Sequence, residues 1–170
     1  KNKGPHYDPT NILVTDIRKG FLFDYNDKSW EAVEEYEYDW GNNDFTYEFK
    51  IVASDETAFL YIEDDDELEC LVMKKMPFQK LDASVASKIE KKGKPPKEII
   101  FEGTTFYRDG ESPGFYRNLN SENWSELISW TYYDDSGRLV LNVEQWGDDA
   151  FEASIGVSVP ESAFSNILPV

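Results

Sequence analysis

The stretch WEAVEEYEYDWGNNDFTYEFKI, Trp30 to Ile51, alternates aromatic and acidic residues, turns at Gly41-Asn42-Asn43, and alternates again. Period-two alternation marks a half-buried strand, because successive side chains leave opposite faces. On the first run Tyr36, Tyr38 and Trp40 share one face, and Glu35, Glu37 and Asp39 take the other. Gly and Asn accept the left-handed backbone of a tight turn, so the two runs predict an antiparallel hairpin. Its aromatic side is expected to be core and its acidic side wet.

Working outward, "GFLF" before the polar Asn26–Ser29 reads as a short strand, and "TAFLYIE" and "LECLVMKKM" as two more around the acidic turn DDDE. The texture changes at "LDASVASKIEKKGKPP". Asp82 can cap a helix, Val85 and Ile89 lie four apart, lysines fill the last turn, and Gly93 and Pro95-Pro96 end it. That predicts one helix near 82–92. "KEIIFEGTTFYRD" reads as a hairpin on Glu102-Gly103, and "GFYRN", "WSELISWTYYD", "GRLVLNVEQW" and "AFEASIGVSV" as further strands.

The two sides of the helix resemble each other. An ungapped slide puts 30–50 on 124–144, with Trp30 on Trp124 and Tyr36 on Trp130, and a second block puts 65–72 on 148–155, carrying Pro77 onto Pro160. The expectation is one domain over 1–170, with related halves at about 12–81 and 97–168 and a fraying terminus at 1–10. The fold class is mainly β with one helix: about ten short antiparallel strands in a barrel-like or sandwich core.

Composition narrows function by exclusion. The 40% hydrophobic and 15% aromatic content suits a folded chain, and 34 acids against 17 bases leave a net charge of −17. Such a surface repels phosphate and anionic lipid, so neither nucleic acid nor direct membrane insertion is expected; a protein partner with a basic patch fits better. The single cysteine, Cys70, falls on an alternating strand as a small core residue, and the single histidine, His6, lies in the terminus. One of each cannot make a zinc site or an internal disulfide, and no catalytic imidazole stands beside a nucleophile. No phosphate-binding glycine motif occurs, and no cofactor or resident metal is expected. The acidic turns at 63–69 and 146–152 lack the spacing of a calcium loop. No apolar run has membrane-spanning length and no signal-peptide pattern opens the chain, which reads as a cytoplasmic protein.

The layout of WSELISWTYYDDSG at 124–137 and WEAVEEYEYDWG at 30–41, with the acidic hairpin and the closing FSNILP, resembles the bacterial DUF4178 family over most of 12–168. The resemblance implies no catalytic residues. It does imply a setting, since similar proteins are encoded near envelope-stress proteins and polyamine-synthesis enzymes.

Two tryptophans stand at strand ends directly before glycine, Trp40 in DWGNND and Trp146 in QWGDDA. An indole beside Asn42 and Asp44, or beside Asp148 and Asp149, can stack on a sugar, hold a cationic amine or anchor a protein. Trp30, Trp124 and Trp130 are assigned to the core. Two functions follow. The first is a non-catalytic, acidic protein-interaction module, linked through the resemblance to envelope stress. The alternative is a binder of a polyamine, a sugar or calcium that uses the strand-end tryptophans and carboxylates.

Overall fold

A computed structural model describes residues 6–170. Strands β1 (Leu22–Tyr25) and β2 (Lys28–Asp39) turn on Asn26-Asp27, both at positive φ, and β2 meets β3 (Phe45–Val52) through Asn42 and Asn43, also at positive φ. β4 (Thr57–Asp64) and β5 (Leu68–Met76) complete a meander, and helix α1 (Ala83–Lys92) follows. The second half repeats the plan with β6 (Glu98–Phe101), β7 (Thr104–Asn118), β8 (Ser125–Tyr133), β9 (Leu139–Trp146) and β10 (Ala150–Val159). β11 (Phe164–Leu168), which the sequence reading did not separate, adds to β1.

All eleven strands belong to one antiparallel sheet in the order β11-β1-β2-β3-β4-β5-β10-β9-β8-β7-β6. A further pairing, β2 with β7, joins Tyr36 to Asn118 and Asp39 to Phe115. The strands from β2 to β5 and β7 to β10 therefore close into a ring of eight, with β1, β11 and β6 lying outside it. Among the described residues the fold is mainly β with one helix, as expected, and eight of its strands close into a barrel-like ring.

The ring is traced in the same order by both halves. Each runs a short strand, a two-residue turn, a long strand and a meander, then a proline leading a 3-10 turn: Pro77 before Phe78–Lys80, and Pro160 before Glu161–Ala163. In ring position β4-β5 matches β9-β10, the register of the second sequence block. The first block crosses elements, joining β2 to β8, whereas ring position matches β2 with β7. Amphipathic strands align by pattern to any other strand, so only the topology separates the two registers.

The helix follows its local signals. The Asp82 carboxylate accepts the Ser84 N–H at 2.9 Å, Gly93 closes the C-terminus at φ 76°, and Val85 and Ile89 form the buried stripe. The main apolar cores, however, lie outside the ring. Phe49, Ile51, Leu60, Ile62, Cys70 and Val72 point outward from the first half and are covered by the segment from Val14 to Phe23, by Trp30 and by Phe164 of β11. Trp130, Tyr132, Leu141 and Val143 point outward from the second half and meet Leu81, Val85 and Ile89. Burial in the first core pushes the Cys70 thiol up to about 11. The alternate positions, which a one-sided sheet would give to water, face the interior of the ring.

Three expectations change. Trp124 is 38% exposed, with the Arg117 guanidinium 4.7 Å over its ring, because it precedes β8 and escapes that strand's alternation. The residues from Thr104 to Asn118 form one strand rather than two. It shifts register between Arg108 and Gly110, and Pro113 is tolerated between the stretch paired with β6 and the stretch paired with β2, where its missing N–H leaves no ladder bond unmade. Of the terminus at 1–10, residues 1–5 lie outside the described residues. Tyr7 meets Phe21 edge-on at 5.8 Å, and His6 Nε2 lies 2.7 Å from the Asp16 carbonyl, so that part is docked. Among the described residues no helix is long and apolar enough to cross a membrane.

Candidate functional site

The inward positions of the ring enclose a cavity of ≈ 280 Å³. Its wall is built by parity. Tyr38 comes from β2, Glu48 from β3, Phe59, Tyr61 and Glu63 from β4, and Glu69, Leu71, Met73 and Lys75 from β5. The second half adds Ser112 and Tyr116 from β7, Ser129, Thr131 and Tyr133 from β8, Asn142, Glu144 and Trp146 from β9, and Glu152 and Ser154 from β10. Trp40, Asp44, Asp109, Gly110 and Ala153 complete it, so among the described residues seven carboxylates and one lysine line the cavity.

Trp40 and Trp146, on different halves, both line this cavity. They share a row of the sheet: Asp39 pairs with Phe115, and one residue on, Gly114 pairs with Leu127 and Leu127 with Trp146. Gly114 makes room for the indole, since a Cβ there would stand 2.6 Å from Trp40 Cε3. Trp40 stacks on Tyr38 with centroids 5.1 Å apart and planes 5° from parallel, and its Nε1 donates to Thr46 Oγ1 at 2.8 Å. Tyr116 bridges the two halves, with its ring 4.9 Å from Tyr38 and 5.1 Å from Trp146. The Trp146 Nε1 is buried and donates to nothing. A buried indole N–H without an acceptor costs free energy that native proteins seldom leave unanswered.

Of the sequence candidates, the cavity gathers Trp40, Trp146 and Asp44. Asn42, Asp148 and Asp149 are exposed on the hairpin tips and take no part in its wall.

The residues missed by the sequence reading are the acids inside. Glu48 accepts from Tyr38 Oη at 3.1 Å, and burial, only partly opposed by Lys75, pushes its carboxyl up to about 7. Glu144 goes higher, to about 8, through burial first and then the charges of Glu48 and Glu152. Among the described residues it makes no hydrogen bond or ion pair, and the Lys75 charge offsets its burial only in part. Glu152 sits directly across from Glu144 in the ladder, and Lys75 Nζ lies 3.9 Å from Glu152 Oε2. Burial also raises the phenols of Tyr38, Tyr61, Tyr116 and Tyr133. In "FTYEFKIV" and "LVLNVEQW" these acids alternate with apolar residues as solvent-facing acids would, so no signal in the sequence marks them.

The arrangement offers negative charge, ring faces and hydrogen-bond partners. Among the described residues no three His, Cys, Asp or Glu side chains converge to hold a metal ion. Comparison with curated proteins and with solved structures finds no match. The model of a family described as a domain of unknown function, DUF4178, matches residues 18–161, and the chain therefore belongs to the DUF4178 family.

Proposed function

We propose that the ring is a binding protein for an organic cation, held in the cavity between aromatic faces and carboxylates. The observation that carries this reading is Glu144, a half-buried carboxylate that faces the cavity with no partner among the described residues, in a wall where the described acids outnumber the lysine Lys75. An enclosed carboxylate is tolerated when it is protonated or when a cation neutralises it. The rings of Tyr38, Trp40, Tyr116 and Trp146 add the negative faces that attract alkylammonium groups, and a hydrophobic stem suits Leu71 and Met73. A bare divalent ion fits less well, because the acids do not converge. Titration with octylammonium chloride at pH 8 is expected to change tryptophan fluorescence and raise the melting temperature beyond matched sodium chloride. Glu144→Gln with Glu48→Gln should abolish both responses. No response beyond that of salt would remove the reading.

A second reading is the interaction module. On the outer face, where β2 meets β7, Phe45, Tyr47 and Phe115 lie outside both apolar cores and are 40%, 38% and 49% exposed. They surround Glu37, whose carboxylate lies 3.6 Å from Arg117. With a net charge of −17, a basic partner is the complementary one. Phe115→Ser is expected to lose a salt-sensitive complex recovered from native lysate while leaving octylammonium binding intact. Recovery of the same partners by the variant would dismiss this surface.

A further inference from the structure

The carboxylates of the cavity fall into two groups rather than one. The inner group is Glu48 and Glu144, with the exposed Glu152 and Lys75 beside it. The outer group is Glu63 and Glu69, directly paired across β4 and β5, with Asp44 near Glu63 and Asp109 near Tyr133, whose hydroxyl meets Glu69. Each group acts on its own members: Glu63 feels Glu69, Asp44 and Asp65, whereas Glu144 feels Glu48, Glu152 and Lys75. Tyr61 stands between the groups and feels Glu63 from one side and Glu48 from the other.

The ladder places them apart in the same way. Glu48 pairs with Tyr61, and Glu63 lies one two-residue step further along β4, about 7 Å of strand. Glu144 and Glu152 belong to the opposite half of the ring. The section between is aromatic, with Tyr61 tied to Trp40 through Thr46 and with Tyr38 stacked on Trp40. A single ammonium group can neutralise one group only. The outer group has its own neutral partner in the Tyr133 hydroxyl, which donates to Glu69 at 2.5 Å, while Glu63 has none among the described residues.

We infer that the cavity takes a linear ligand with two cationic centres, one seated at Glu48, Glu144 and Glu152 and the other at Glu63 and Glu69, with an alkyl chain running past Tyr61 and Trp40. This rests on the organic-cation reading and names its ligand class. Two like charges joined by a flexible apolar chain match two separated acidic groups, and neither a sugar nor a compact cation does.

The test compares diaminobutane and diaminooctane with butylamine and octylamine, by calorimetry at pH 8 and fixed ionic strength. A diamine is expected to bind about tenfold or more tightly than the monoamine of equal length, the return of one further charge-assisted pair in a partly enclosed site. Glu63→Gln should lower diamine affinity more than monoamine affinity, so that the diamine's advantage disappears, and its melting curve reports that the variant is folded. Asp109→Asn provides a second substitution in the outer group, with a smaller loss in the same direction. Equal affinity for the two classes, or an advantage that survives Glu63→Gln, overturns the two-centre ligand and leaves the cation-binding cavity standing. Failure of every amine to bind overturns both.

Discussion

Replacing Glu144 by glutamine is expected to raise the melting temperature at pH 8 by roughly 5–10 °C and to change it little at pH 5. Glu48 and Glu144 are pushed up to about 7 and about 8 from an unfolded value of 4.5. The folded chain therefore holds more protons than the unfolded chain between those limits. Stability falls with rising pH wherever the folded state binds the extra proton. The contribution of these acids is fully present below pH 4.5 and is lost as pH climbs through 7 to 8. Because the two carboxyls share one enclosure with Glu152, their shifts do not add, and an order of about 2–3 kcal/mol is the reasonable return from glutamine. Glutamine reproduces the protonated shape without the charge. Melting curves from pH 5 to pH 9 check this, with a flatter slope in the variant as the expected result. A variant whose curve parallels the wild type would show that Glu144 is not held in an enclosed, uncompensated state.

The second large effect concerns closure of the ring. Gly156 pairs with Met73 where β10 meets β5, one of the two seams that join the halves. A Cβ there would lie 2.0 Å from the Val72 carbonyl oxygen and 2.8 Å from the Met73 Cα. Both obstacles are backbone, so the strands themselves must separate. Gly156→Ala is expected to cost about 3 kcal/mol, at the upper end of overpacking changes, and to lower the melting temperature by roughly 6–12 °C. Gly110 supplies the control, because nothing lies within 4 Å of its added Cβ and its φ is unstrained. Gly110→Ala should melt within about 2 °C of the wild type. If Gly156→Ala matched that control, close approach at the seam would not be what shapes the ring.

Local features were legible in the sequence and long-range ones were not. The helix over Ala83–Lys92 carried its own cap, stripe and stop, each decided within a turn or two of the residue concerned. The turns at Asn26-Asp27, Asn42-Asn43 and Glu102-Gly103 announced themselves through Asn, Asp and Gly103, which accept positive φ. Trp40 and Trp146 were singled out because each ends a strand before glycine, yet nothing along the chain said that they share one cavity. Trp124 was assigned to the core by its alignment with Trp30, and it stands outside because one residue of offset places it before β8 rather than on it.

From the sequence alone came the β class, the helix, the hairpins, the acidic balance and the two-face division of each strand. Alternation fixes which side chains share a face, since that follows from the pleat of a single strand. It is silent on what covers each face. The tertiary structure decided that the apolar faces of β3–β5 and β8–β10 turn outward beneath β1, β11 and α1, and that the faces with Glu48, Glu144 and the tyrosines turn inward. That choice depends on the β2–β7 pairing, which joins Tyr36 to Asn118 across the chain, and on the coverings that segments distant in sequence supply. An acid beside an aromatic has the same spelling on a wet face and in an enclosed one; closure of the ring brought these carboxylates around one cavity.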